Sequence, residues 1–191
     1  MDRSRNLLDI AKTAGGSGEV REVVWGNVLD NGWRAGAFDY AISIATIHHL
    51  ATPQRRRLAV QRLLQAVSPC HGRVLIYVWA IEQDELSKRQ IPTANTEAQT
   101  STGKDVVVPW VKQSASNKST PGQEPQVFNR YYHMFAKGEL AGIVLDAAWE
   151  MGLKVGPKPD DTTEHREGIE IVQDGWERSN YYVELRRWET R

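Results

Sequence analysis

From Phe38 to Ile47, eight of ten residues are apolar, aromatic or β-branched, and no helical stripe separates a wet face from a dry one. That pattern predicts a strand buried on both faces, as in a parallel sheet covered by helices. His48 and His49 follow at its carboxyl end, where open α/β sheets bind ligands. Thr52 and Pro53 then supply an N-cap and a first-turn proline, so a helix opens at once. Its core stripe is Val60, Leu63, Leu64 and Val67. Pro69 ends it, Gly72 turns the chain, and residues 74–79 predict a second buried strand.

Upstream, Ser4 is the expected N-cap of a helix with Leu7, Leu8 and Ala11 on one side. It stops at Gly15 and Gly16, and residues 20–25 predict a short strand. Downstream, residues 84–126 are rich in Gln, Ser, Thr, Asn and Lys and are expected to be a mobile insertion. An apolar island at 105–111 interrupts them, suited to a lid or to plain anchoring. Order returns over 127–135. A helix follows with Leu140, Ile143, Val144 and Ala147 buried and Gly152 as its stop. Residues 153–155 can form a short strand, 156–168 a charged loop, and 180–185 a final strand. Alternation of strands and helices predicts one α/β domain over 1–191 with a doubly wound sheet.

Charge adds little, because Lys+Arg and Asp+Glu are both 24, leaving no global field for nucleic acid. Any RNA contact must be a local patch. Arg55, Arg56, Arg57 and Arg62 lie largely off the core stripe of their helix and read as a solvated face before an RNA contact. Cys70 is the single cysteine, which excludes an internal disulfide and a cysteine-cluster zinc site. An intracellular, cytoplasmic and also nuclear location is expected. The two histidines lack a third clustered ligand, so no metal is assigned.

Several motifs occur in a fixed order: Asp2-Arg3-Ser4, the Phe38 strand ending in Ile47-His48-His49, Tyr77-Val78-Trp79-Ala80 with Gln83, Val107-Val108-Pro109-Trp110, Arg130-Tyr131-Tyr132-His133 with Gly138-Glu139-Leu140, and Asn180-Tyr181-Tyr182. On these the chain resembles the eukaryotic tRNA wobble-uridine methyltransferases, which methylate the carboxymethyl group on uridine 34. It is similar also to the methyltransferase domain fused to an AlkB-type dioxygenase in animals. The resemblance implies a class I, Rossmann-like fold of strand order 3-2-1-4-5-7-6 and S-adenosyl-L-methionine as cofactor. It puts Asp2 on the cofactor ribose, and Asn27 (where Asp is usual) and Val28 at the adenine. Ile44, Ala45 and His48 then lie beside the methionine part and the methyl. Arg130 is expected to grip the anionic carboxymethyl group, with Tyr131 beside it in the catalytic set. Trp110, Tyr132, His133 and Asn180 are expected on the substrate side, with Trp110 and the tyrosines suited to stacking a flipped uracil. Packing of one tyrosine in the core is the competing reading, and for His49 a structural role is favoured.

The family's first strand and glycine-rich loop precede the position of Asp2, so the resemblance implies an N-terminally truncated member. It further implies tRNA and a small zinc-binding activator subunit as partners, with Val23, Val24 and Trp25 compatible with the latter. Three classes stay open at this point: the tRNA methyltransferase, an inactive relative keeping its RNA and partner surfaces, and a small-molecule methyltransferase.

Overall fold

The computed structural model describes residues 1–15, 22–85, 87, 102–111, 127–160 and 164–190. Its elements are α1 (Arg5–Thr13), β1 (Tyr40–Ile44), a single 3-10 turn (Ile47–His49), α2 (Pro53–Ala66), β2 (Arg73–Trp79), β3 (Lys104–Val111), β4 (Val127–Met134), α3 (Glu139–Glu150), β5 (Lys154–Val155), β6 (Glu167–Glu177) and β7 (Asn180–Glu189). A five-stranded sheet runs β1-β2-β7-β6-β5, and β3 and β4 form a separate antiparallel pair. β1 is parallel to β2, and β7 lies antiparallel between β2 and β6. Its first four strands, β1-β2-β7-β6, are the 4-5-7-6 part of the expected sheet, and β5 adds a fifth at the edge. The expected mobility of 84–126 falls mostly on residues outside those described, but the apolar island inside it is strand β3.

Local chemistry explains the helix starts. Ser4 Oγ accepts from Leu7 N–H at 3.3 Å and Thr52 Oγ1 from Arg55 N–H at 3.3 Å, each capping a donor that the helix cannot satisfy. α2 and α3 then pack together on one face of the sheet. Ala59, Val60, Leu64 and Val67 meet Leu140, Ile143, Val144 and Ala147 over Val74, Ile76 and Val78 of β2 and Val183 and Leu185 of β7.

This one-sided core corrects two expectations. β1 is not buried on both faces: Tyr40, Ile42 and Ile44 are 71%, 65% and 61% exposed, while Ser43 is buried. β2 alternates, with Val74, Ile76 and Val78 inside and the residues between them half-buried. Both core helices lie on the same side, and among the described residues no strand pairs with the outer edge of β1. α1 departs as well, since Leu8 is buried but Leu7 and Ile10 are exposed. In the 20–25 region, the described part contributes only a parallel bridge between Asp2 and Trp25.

The long strand β6 replaces the end of the expected charged loop and pairs with β7 along its length. Their turn is built from Arg178 and Ser179 at φ 46° and 63°, a left-handed pair made without the usual glycine. Asn180 Nδ2 donates to the carbonyls of Glu177 (3.3 Å) and Arg178 (2.8 Å) and so holds that turn. Asn180, expected on the substrate side, thus has its amide nitrogen engaged in the hairpin turn.

Candidate active site

The hydrogen bonds of the sheet bring three pieces to the carboxyl ends of β1 and β2. β1 is followed by Ala45, whose φ of 55° is strained for a residue with a Cβ. The turn after it carries His48 and His49. β4 is stitched to the end of β2: Phe135 N–H donates to Trp79 O at 2.8 Å and Ile81 N–H to Phe135 O at 2.9 Å. The β3–β4 hairpin therefore stands over this end of the sheet.

A cleft of about 750 Å³ follows the outer edge of β1. Asp2, Asn27, Val28 and Asp30 line one side, and Tyr40, Ile42, Ser43, Ala45 and His49 the other, with Trp33 and Phe38 among its apolar walls. Four of the five expected cofactor residues (Asp2, Asn27, Val28 and Ala45) are thus brought together. The fifth, Ile44, is exposed on β1 between two lining residues but is not itself part of the lining. Asn27 Oδ1 already accepts from Leu29 N–H at 3.1 Å, while Asp30 Oδ2 accepts from Asn27 N–H at 2.9 Å. Ser43 was not among the expected residues. The residue is among those lining the cleft, and its buried Oγ finds no hydrogen-bond partner among the described residues. An orphaned hydroxyl is costly unless a ligand completes it. Alternation along β1 gave no sign of it.

The histidines exchange their expected roles. His48 is fully buried, accepts from Trp79 N–H at 3.2 Å on Nδ1, and packs against Trp79 and Tyr132. It does not line the cleft. His49 is exposed and does, and its Nδ1 lies 3.1 Å from Tyr131 O. Which member of the pair faces solvent depends on the 3-10 turn, and a plain His-His pattern does not encode it.

On the hairpin, register pairs Val106 with Tyr132, Val108 with Arg130 and Trp110 with Phe128, so these side chains share one face. Tyr132 is buried, its ring parallel to Trp79 at 4.2 Å between centroids. It is a core aromatic, not a platform for a base. Further along that face Arg130 lies over the Trp110 ring at 4.5 Å, and both are exposed with Phe128 beside them. The Tyr131 hydroxyl donates to Asp105 Oδ1 at 2.7 Å. Burial and that carboxylate push it up to about 12, so it neither stacks freely nor ionises near neutrality.

His133 is buried with Nδ1 2.7 Å from Asp105 Oδ1 and Nε2 2.7 Å from Glu139 Oε1. Its ring is committed to these carboxylates and not to a substrate. Burial opposes ionisation of both acids. Hydrogen bonds from His133, joined by Tyr131 on Asp105 and by Ala136 N–H on Glu139, outweigh it and hold both carboxyls below their usual range, with the charge of Arg56 assisting.

Of the arginines of α2, Arg55 is exposed as expected, while Arg56, Arg57 and Arg62 depart from a solvated face. Arg56 is buried and donates to Leu50 O at 3.0 Å. Arg57 pairs with Glu150 at 2.8 Å, Arg62 bonds Leu29 O and Gln65, and Arg55 lines the cleft.

The fold is that of the class I S-adenosylmethionine-dependent methyltransferases. Among solved structures, one of these enzymes from Clostridium acetobutylicum matches over 96% of this chain and 72% of its own, with TM-score 0.56 at 4% identity. Another from Methanosarcina mazei matches over 97% and 79%, with TM-score 0.51 at 11% identity. In sequence, the chain is a relative of the proteins named tRNA (carboxymethyluridine(34)-5-O)-methyltransferase. It is 34% identical to the Xenopus tropicalis protein of that name over 74% of this chain and 27% of that protein. To the one from Schizosaccharomyces pombe it is 32% identical over 76% of this chain and 55% of that protein. The chain thus spans about half or less of these relatives' length. No family model matches it.

Proposed function

We propose that this chain carries out, or forms the greater part of a unit that carries out, S-adenosylmethionine-dependent methylation of the carboxymethyl group on wobble uridine 34 of tRNA. The single observation that carries this reading is the sequence relationship to proteins of that name along three quarters of the chain. The cleft supports it. Carboxylates at Asp2 and Asp30, the Asn27 amide, the orphaned Ser43 hydroxyl and the apolar walls of Val28, Trp33 and Phe38 suit an adenosine-type ligand. When bound, the cofactor supplies a methyl group on a sulfonium; the C–S bond breaks, a C–O bond forms to the carboxylate, and sulfur keeps the electron pair.

A carboxyl acceptor ordinarily titrates near about pH 4 and is ionised at neutrality, so no general base is required. Aiming and desolvating that oxygen is the task left to the protein. Arg130 has the two-pronged donor geometry for an acidic substrate group, and Trp110 and Phe128 offer faces for an unstacked base. His49, shared by the cleft and by the base of the hairpin, joins the cofactor side to the acceptor side. Within the same reading the partners are tRNA and a small zinc-binding activator subunit, and the setting is the cytoplasm and also the nucleus.

The test incubates the chain, alone and with such an activator subunit, with S-adenosylmethionine and tRNA bearing 5-carboxymethyluridine at position 34. Nucleoside mass spectrometry should find the methyl ester. Absence of ester under both conditions overturns the reading.

A further inference from the structure

We propose that His133 is a positioning residue, an imidazolium clamped between Asp105 and Glu139 that pins the root of the β3–β4 hairpin and so fixes where Arg130 and Trp110 stand. The warrant is donor arithmetic. Each ring nitrogen lies 2.7 Å from a carboxylate oxygen. An ionised carboxylate only accepts, so the ring serves both arms only with a proton on each nitrogen.

The clamp ties the β3–β4 ladder, in which Asp105 and His133 are direct partners, to a helix outside that ladder. Asp105 belongs to β3, His133 to β4 and Glu139 to the first turn of α3. Glu139 Oε2 also accepts from Gly103 N–H at 2.9 Å and Ala136 N–H at 3.0 Å, tying the start of β3 to the end of β4. Among the described residues, Asp105, Glu139, Tyr131 and Arg56 are the titratable groups around the ring, which otherwise meets Phe135 edge-on. Gly103 closes the arrangement. A Cβ there would stand 2.5 Å from His133 Nε2 and from Glu139 Oε2, and closer still to Met134 O, so any side chain at 103 drives into the clamp.

Arg130 lies three residues from His133 along β4, ~10 Å at the usual strand rise. The half of the hairpin beyond Tyr131 is exposed. The placement of Arg130 therefore depends on how firmly the root of the hairpin is held.

Hydrogen exchange on the 191-residue chain tests this in wild type, His133→Gln and Gly103→Ala. A glutamine amide can donate in only one of the two directions. Protection over 104–111 and 127–134 should fall roughly ten- to a hundredfold in both variants, the scale of a lost charge-assisted hydrogen bond. Protection over β2 and β7, and affinity for S-adenosylhomocysteine, should not change. In wild type the protection of the hairpin should also drop as pH falls through the carboxylate range, a response that His133→Gln should lack and that a ring merely filling space would not produce. Unchanged hairpin protection in both variants overturns the proposal. Should a variant unfold, the ring ¹⁵N shifts of His133 in wild type decide: a proton on both nitrogens at neutral pH upholds the clamp, and a bare nitrogen overturns it. The consequence for Arg130 rests on the methyltransferase reading. If wild type transfers methyl, the variants should raise the tRNA KM and lower kcat, and unaltered kinetics count against positioning. If wild type transfers none, that reading fails while exchange and NMR still judge the clamp.

Discussion

Arg130 is the residue on which acceptor recognition turns. Its guanidinium rests on the Trp110 ring at 4.5 Å, which orients the planar fork before any substrate arrives. If that fork holds the carboxymethyl group, Arg130→Lys should be nearly as damaging as Arg130→Ala, because an ammonium cannot copy two parallel donors. Loss of one charge-assisted contact of ~1.5–3 kcal/mol lowers single-turnover methylation roughly ten- to a hundredfold. A phosphate contact would instead be rescued by lysine and would show up as salt-dependent tRNA binding. Single-turnover rates for the three proteins at saturating enzyme separate the two; a lysine variant as fast as wild type removes the carboxylate grip. Tyr131 beside it should behave as a structural group. Burial and its bond to Asp105 raise its hydroxyl to about 12, so folding favours the protonated phenol. That contribution is complete below about pH 10 and is lost as pH rises through about 12. Absorbance titration should show a late-ionising phase, to which Tyr77 and Tyr181 also contribute, that shrinks by one tyrosine in Tyr131→Phe; an unchanged late phase would refute the assignment. The sequence showed that an Arg-Tyr-Tyr-His run mattered, but not how its members divide. Strand alternation puts Arg130 and Tyr132 on one face and Tyr131 and His133 on the other. The partners of the buried His133 stand 28 and 6 residues away, and only the folded hairpin brings them together.

At the scale of elements, the helix starts were the most legible feature, because capping is a contact across three residues. Thr52 N-caps α2 and Pro53 follows it, and the turn just before this cap bears His49. Thr52→Ala should cost about 1 kcal/mol, read as a lower midpoint in urea at constant slope. A change in slope instead would mean that α2 frays before the rest unfolds. The start of α2 also explains why Arg56 and Arg57 were misread. Off-stripe positions of a helix are solvated only where nothing else packs there, and here the hairpin root covers Arg56 and α3 supplies Glu150 to Arg57. Strand β6 escaped notice for a different reason. Its run carries four acidic residues and a register shift after Ile171, and its turn uses Arg178 and Ser179 where a glycine pair would have announced a hairpin.

For the molecule as a whole, the distribution of cover is what links fold to function. One face of the sheet is sealed by α2 and α3, while the outer edge of β1 opens on the cleft. A buried hydrophobic run suggested cover on both sides, since composition cannot say which neighbour is present to cover it. Ser43 lies at the junction, inside the sealed side by burial yet part of the cleft lining. Its orphaned hydroxyl gives a prediction in which one substitution has opposite effects in the two states. Without ligand, Ser43→Ala removes an unsatisfied buried group and should stabilise the chain by about 1–3 kcal/mol. With S-adenosylhomocysteine at a hundred times its Kd, wild type should gain about 2.7 kcal/mol, which for a chain of this size moves Tm by roughly 5–11 °C. If the cofactor completes the Ser43 hydroxyl, the alanine variant binds more weakly and gains less, so the two melting curves approach each other as ligand is added. Asn27→Ala should shrink the ligand shift without the prior gain, because Asn27 Oδ1 already has a partner in Leu29 N–H. Calorimetry of the three proteins with and without ligand supplies the comparison. A ligand shift of equal size in wild type and Ser43→Ala would place the cofactor elsewhere along the cleft, away from β1.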